Sequence, residues 1–321
     1  MRRIALEEAF WPQGLATRGA STDSITWMKP EAARRWKQRL GDFTEFRLPE
    51  MDRYGIDVQV LSLTSPGLQM QPDPQVAVDD ARRANDILAE IIAANPSRFT
   101  GLAALPLQDP ARAAAELDRA VTELGLPGAL VNDHTLGHYL DEPQFGIVWE
   151  RLEALHAPLY IHPGAVPADA WHVFEGHPEL AGPTFGWAAA TGAHLLRLIY
   201  GRVFDRHPGV TVILGHMGEF LPFEMARLDA RHADLALDDP PANKPSQYLL
   251  NNVMITTSGV CSTAALMGAV HAVGIDNVMF AVDYPYESTA DAVAFLDTAP
   301  LADHDRARIS HLNAERLLRL H

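Results

Sequence analysis

The sequence is short of cysteine, of positive charge and of long apolar runs, and each shortage removes a class of protein. Cys261 is the only cysteine among 321 residues, so no intrachain disulfide is possible and a reducing cytoplasm is the expected compartment. Only 26 Lys and Arg stand against 41 Asp and Glu, a formal net charge of −15. That balance argues against a nucleic-acid surface or an anionic-membrane anchor, and it means that an anionic substrate needs local positive charge. No run approaches the roughly eighteen apolar residues of a membrane span. Two arginines open the chain, but the acids at positions 7 and 8 arrive before a signal-peptide core can form. No Gly-x-Gly-x-x-Gly follows the first apolar run, which removes the usual dinucleotide-binding alternative.

What is present is a repeat of short β-branched or apolar runs, each followed by a helical pattern. Eight runs read as strands: "RIALEEAF", "VQVLSL", "TGLAALP", "GALVND", "PLYIHP", "VTVILGH", "NVMITTSG" and "NVMFAVDYP". Between them lie segments such as "DPARAAAELDRAVTELG", with Asp109 as N-cap, Pro110 at the first helical position and Gly125 ending the run. Asp73-Pro74 and Glu142-Pro143 read as two further helix starts of this kind. Strands alternating with helices imply right-handed crossovers and a parallel sheet. Eight such units predict an α/β fold, a (β/α)8 TIM-type barrel, as a single domain over residues 1–321. Residues 11–46 and 164–186 fit the repeat poorly. Both leave the C-terminal end of a strand, the active face of such barrels, so they are expected to be lid or rim elements, the first of them partly helical.

The stretch "ALEEAF" places two neighbouring carboxylates in an apolar strand. Strict alternation sets Glu7 on one face with Ala5 and Ala9, and Glu8 on the other with Leu6 and Phe10. Glu7 is then expected in the lumen, its small neighbours leaving room, and Glu8 on the outer face in a structural role. Other strand ends are polar too: Thr64 and Ser65, Asn132 and Asp133, His162, His216, Ser258 and Asp283. Glu7, His162 and Asp283 together suit one divalent ion such as Zn²⁺ or Mn²⁺, with positions left open for substrate or water. Two converging carboxylates without a cation would repel, and one would take up a proton. Taken singly, Glu7 reads equally as a surface acid, His162 as a core histidine and Asp283 as a turn former before Tyr284-Pro285; their meeting at one end of a barrel favours a site. In "GHMGE", Glu219 follows His216 by three residues, a spacing that lets the carboxylate orient the imidazole or complement a helix N-terminus.

With "RLPEMDRYGIDVQVLSLTSPG", "PLYIHP", "FDRHPGVTVILGHMGEFLPFEMARLD", "MITTSG" and "FAVDYPYE" added, the chain resembles the amidohydrolase superfamily over nearly its whole length. It is most similar to the aromatic-acid decarboxylase branch, which includes the 2,3-dihydroxybenzoate, γ-resorcylate and 5-carboxyvanillate decarboxylases. The resemblance implies that Glu7, His162 and Asp283 bind the metal, with His216 and Glu219 as a functional pair beside it. It implies a substrate-facing Arg47, a Trp187 packed on the substrate ring, and an Arg227 that reaches the neighbouring subunit's site in a homodimer or homotetramer. Asn132 and Ser65 match rim positions, although either serves equally to satisfy backbone groups. Many superfamily members carry a histidine where this chain has Ala9, a departure shared with the decarboxylases that have a three-ligand site.

The implied activity is loss of CO₂ from an ortho-hydroxylated aromatic acid, a small-molecule substrate, with Asp283 protonating the ring carbon. Two rivals remain open at this level. One is a metal-dependent hydrolase acting on a lactone or amide with the same ligands. The other is a catalytically silent scaffold, against which the intact set of polar strand ends argues.

Overall fold

The computed structural model describes residues 1–17, 29–167 and 171–320. Parts of both expected rim insertions, residues 18–28 and 168–170, lie outside the described residues. The strands are β1 (Ile4–Phe10), β2 (Val58–Leu63), β3 (Phe99–Gly101), β4 (Ala103–Ala104), β5 (Ala129–Asn132), β6 (Leu159–His162), β7 (Val212–Leu214), β8 (Val253–Thr256) and β9 (Val278–Met279). All neighbours pair in parallel, β1-β2-β3 in one sheet and β4 through β9 in the other. β3 and β4 are two pieces of one strand broken at Leu102, whose amide still donates to Leu61 O. The ring closes where Leu6 bridges Ala281 and its amide donates to Phe280 O at 3.0 Å. The result is an eight-position α/β barrel of TIM type, each position corresponding to one of the apolar runs.

Helix starts follow their caps. Asp73 accepts from the amides of Gln75 and Val76 to open the helix Pro74–Ala94, and Asp109 accepts from the amide of Arg112 to open Pro110–Thr122. Glu142 behaves differently. Its carboxylate turns back to His138 and the amide of Tyr139, and Pro143–Phe145 forms a 3₁₀ turn that leads into the helix Gly146–Leu155. Within the first insertion, Pro30–Leu40 is helical; the second holds 3₁₀ turns at His172–Phe174 and Pro178–Leu180.

Two apolar clusters result. The larger lies between strands and helices and includes Ala5, Phe10, Leu61 and Val131. The smaller fills the lumen with Ile4, Leu6, Val58, Val60, Leu102, Leu130, Tyr160, Ile213, Met254, Met279 and Ala281. These memberships correct the expected alternation in β1: Leu6, not Ala5, faces the lumen. Pairing with β2 slips between Ala5 and Glu8, and Glu7 sits at φ +63°. One extra residue is thus inserted, a bulge that turns Glu7 inward after an already inward Leu6. Glu8 is outside the lumen as expected, yet it is fully buried there.

Candidate active site

Glu7 on β1, His162 at the end of β6, and His216 and Asp283 in the loops after β7 and β9 converge at one end of the barrel. Glu7 Oε1 lies 3.3 Å from His162 Nε2 and 3.4 Å from His216 Nε2. His216 Nε2 is in turn 3.7 Å from Asp283 Oδ2. Donor atoms of Glu7, His216 and Asp283 all fall within 4.8 Å of one another. His162, expected in that group, reaches Glu7 at 3.3 Å but is not part of the cluster, where His216 takes its place.

The backbone is bent to achieve this. Besides Glu7, the left-handed region holds His216 (φ +49°), Glu219 (φ +50°) and Asp283 (φ +74°). For residues with a side chain such conformations cost roughly 1–3 kcal/mol each and persist only where the surroundings impose them. Gly215 makes the room: a Cβ there would stand 2.7 Å from Glu7 Oε2 and 2.9 Å from Oε1. Gly259, at φ +62°, brings the loop after β8 within 3.8 Å of Asp283 Oδ2, measured from where its Cβ would be.

The hydrogen bonds fix the tautomers. His162 Nδ1 is 2.8 Å from Pro163 O, which only accepts, so Nδ1 carries the proton and the neutral ring presents a bare Nε2. Burial lowers the pKa of His162, the charge of Glu7 opposing, which favours that neutral form. His216 Nδ1 donates to Glu219 Oε1 at 2.7 Å. Burial pulls the pKa of His216 down, but Glu219, Glu7 and Asp283 outweigh it and raise it well above the usual range. Burial raises the carboxyl of Glu219, and His216 works against that rise. Glu7 Oε1 is buried and has no hydrogen-bond partner. A carboxylate lone pair thus faces two imidazole nitrogens whose other nitrogens are already committed. The bare Nε2 of His162 and the partnerless Oε1 of Glu7 oppose lone pair to lone pair, a donor set that fits a divalent cation, which would relieve that opposition.

Trp187 is half-buried on the helix Gly186–Tyr200, its ring centroid 6.5 Å from that of His162. A buried pair missed in the sequence, His194 Nδ1 to Asp133 Oδ1 at 2.6 Å, ties this helix to the end of β5. Asn132 is buried, its side-chain amide donating to Leu63 O and its own amide to Gln69 Oε1. Ser65 is also buried, just beyond β2. Arg227 is exposed on the helix Leu221–His232.

Arg47 requires a correction. It was expected to face the substrate, but it is wholly buried in the barrel wall. Its guanidinium donates to Ala9 O at 2.5 Å, Gln59 Oε1 at 3.0 Å and Asp42 O at 3.2 Å, and lies 4.3 Å from the ring centre of Tyr284. It braces the residues beside Glu8 and Asp283 from outside, its charge held by carbonyls and an aromatic face.

Tyr160 and Thr256 were not singled out in the sequence. The Tyr160 hydroxyl donates to Glu7 Oε2, and Thr256 Oγ1 donates to the same oxygen at 3.2 Å. A signal existed for Tyr160: it precedes His162 by two residues on a strand, so both share a face.

Residues 9–320 match the amidohydrolase family. The chain belongs to that family. It is 40% identical over 327 residues to a gamma-resorcylate decarboxylase of Rhizobium sp., an alignment covering 99% of this chain and 98% of the relative. Among solved structures of the family, 2,6-dihydroxybenzoate decarboxylase complexed with 2,6-dihydroxybenzoate superposes with a TM-score of 0.92 at 40% identity, covering 99% of each chain. A dihydroxybenzoic acid decarboxylase from Polaromonas sp. JS666, with bound manganese and the inhibitor 2-nitroresorcinol, also gives a TM-score of 0.92, at 38% identity over 99% of this chain and 97% of the other.

Proposed function

We propose that this chain is a divalent-metal-dependent, non-oxidative decarboxylase of an ortho-hydroxylated aromatic carboxylic acid of the dihydroxybenzoate, salicylate or carboxyvanillate type. The observation that carries the reading is the partnerless Glu7 Oε1 beneath two imidazoles and beside Asp283, in a chain of this family. Glu7, His162 and Asp283 would hold the ion, with His216 bordering it. Manganese is the ion bound in the Polaromonas relative, and zinc suits the same donors. When bound, the ion supplies Lewis acidity toward the carboxylate and the ortho oxygen of the substrate.

The chain's own residues supply the rest. Direct loss of CO₂ would leave an aryl carbanion, so the carbon bearing the carboxylate is protonated first. Electrons from the ortho oxygen enter the ring as the proton arrives, and they return when the C–C bond breaks and aromaticity is restored. Asp283 delivers that proton as general acid. His216, 3.7 Å from Asp283 and held by Glu219, is the adjoining proton store. Trp187, packed beside His162, forms a wall for the aromatic ring. Asn132 and Ser65 shape the rim. With Arg47 committed to the wall, Arg227 from a neighbouring copy in a homo-oligomer provides the positive field that an acidic protein needs. The reading takes residues 1–321 as one barrel domain with rim elements contributed by the described parts of 11–46 and 164–186, and its single cysteine fits a reducing cytoplasm.

The test is CO₂ release from 2,6-dihydroxybenzoate, salicylate and 5-carboxyvanillate, with Mn²⁺ and Zn²⁺ supplied separately and a chelator control. Metal-dependent CO₂ release supports the proposal. Turnover of a lactone or amide with no CO₂ from any of these acids overturns it.

A further inference from the structure

Glu7 lies on a bulge in the left-handed region, so its carboxylate depends on side chains from other strands to be held in place. Side-chain hydrogen bonds to its carboxylate come from two hydroxyls, and both go to Oε2. Oε1 receives none. The two oxygens are therefore not equivalent: one is anchored and the other is offered to the cleft.

The anchor comes from across the barrel. Counting β3 and β4 as one position, β6 is fifth of eight and stands opposite β1. Tyr160 projects from it as the only aromatic side chain in the buried lumen cluster and is fully buried. His162, two residues later on the same face, meets the other oxygen of the same carboxylate at 3.3 Å. One strand thus addresses both oxygens of Glu7, Tyr160 from below and His162 at the mouth. Thr256 on β8 completes the anchor, with its Oγ1 3.0 Å from the Tyr160 hydroxyl. Each hydroxyl has a single hydrogen, and with both committed to Oε2 the 3.0 Å contact between Tyr160 and Thr256 only packs the two donors side by side. A phenylalanine would fill nearly the same space in the lumen without this bond.

We infer that Tyr160 and Thr256 are positioning residues for metal binding: they clamp Glu7 Oε2 so that Oε1 is presented as a single-oxygen ligand. The inference rests on the proposed metal-dependent function. Removing partners of this kind from a metal ligand typically costs about 10–100-fold in metal affinity.

The experiment is competitive titration of Mn²⁺ against a chromophoric chelator, using metal-free full-length protein, together with the electron paramagnetic resonance spectrum of the bound Mn²⁺. Tyr160→Phe is expected to raise the Mn²⁺ dissociation constant by at least about tenfold and to alter the spectrum. Thr256→Val should weaken binding by a smaller factor, and Thr256→Ser, which keeps the hydroxyl, should restore it. The threonine pair keeps the test decisive if Tyr160→Phe fails to fold. Binding within twofold of wild type in every folded variant that lacks a clamp hydroxyl, with an unchanged spectrum, overturns the inference while leaving the decarboxylase proposal standing. A wild-type protein that binds neither Mn²⁺ nor Zn²⁺ overturns both.

Discussion

Glu7 and Glu8 are adjacent in the chain and serve opposite sides of the barrel wall. Glu7 presents one oxygen to the lumen beneath two imidazoles. Glu8, fully buried outside, accepts from Gln59 Nε2 at 3.0 Å and from the amide of Val282 at 3.0 Å, next to Asp283. The bulge between Ala5 and Glu8 produces this division, and it bears on both stability and activity.

Stability should fall as pH rises, with Glu8 contributing. Burial raises its carboxyl from 4.5 to about 8, against the pull of the Val282 amide and the Arg47 charge. The folded state then keeps a proton that the unfolded chain releases above 4.5, so this contribution is full at low pH and is lost progressively as pH climbs through about 8. Thermal unfolding followed from pH 5 to 9 should show the midpoint dropping, and Glu8→Gln should flatten the drop. An unchanged slope in that variant would rule Glu8 out as the source.

Asp283→Asn should retain the fold and lose turnover by several powers of ten, each power being about 1.4 kcal/mol of barrier. Rates are to be compared at matched metal content, because Asp283 is assigned to both metal and proton. Near-normal turnover with metal bound would remove it as the proton donor.

Gly215→Ala places a methyl 2.7 Å from Glu7 Oε2, a contact that the carboxylate must leave. The expected outcome is loss of bound metal in a folded protein, read by elemental analysis beside circular dichroism. Stoichiometric metal in the variant would show that Glu7 need not stay where it is.

Arg47→Ala should act on stability before it acts on substrate binding. It strips a charged donor from Ala9 O and Gln59 and opens a gap against Tyr284, a loss of roughly 2–5 kcal/mol. Chemical denaturation measures the loss. A wild-type unfolding free energy combined with a raised KM would instead return Arg47 to the substrate.

Arg227 is tested by mixing. Subunits carrying Arg227→Ala and subunits inactivated at Asp283 are each expected to be inactive alone and to regain part of the activity when co-assembled. No regain would disfavour a shared site.

The eight strands were legible because each is a short apolar or β-branched run bounded by helical spacing, and the parallel sheet followed from that alternation. Glu7 was placed in the lumen correctly, but for a reason that fails: alternation by twos would send it outward from a lumenal Leu6, and a bulge reverses it. A single sequence does not display a left-handed φ at a glutamate. The burial of Arg47 is not legible, because an arginine's position in sequence says nothing of which carbonyls capture it. The Asp133–His194 pair joins residues far apart in the chain, and no local pattern announces it.

The ring is sealed by Leu6 against Phe280 and Ala281, so Glu7 and Asp283 stand on either side of the join between the first and last strands. On the proposed ligand set, a chain that stops before residue 283 lacks one of its metal ligands. Metal affinity would then report on closure of the ring, and a truncation that removes the last strand is expected to weaken Mn²⁺ binding, as read by titration.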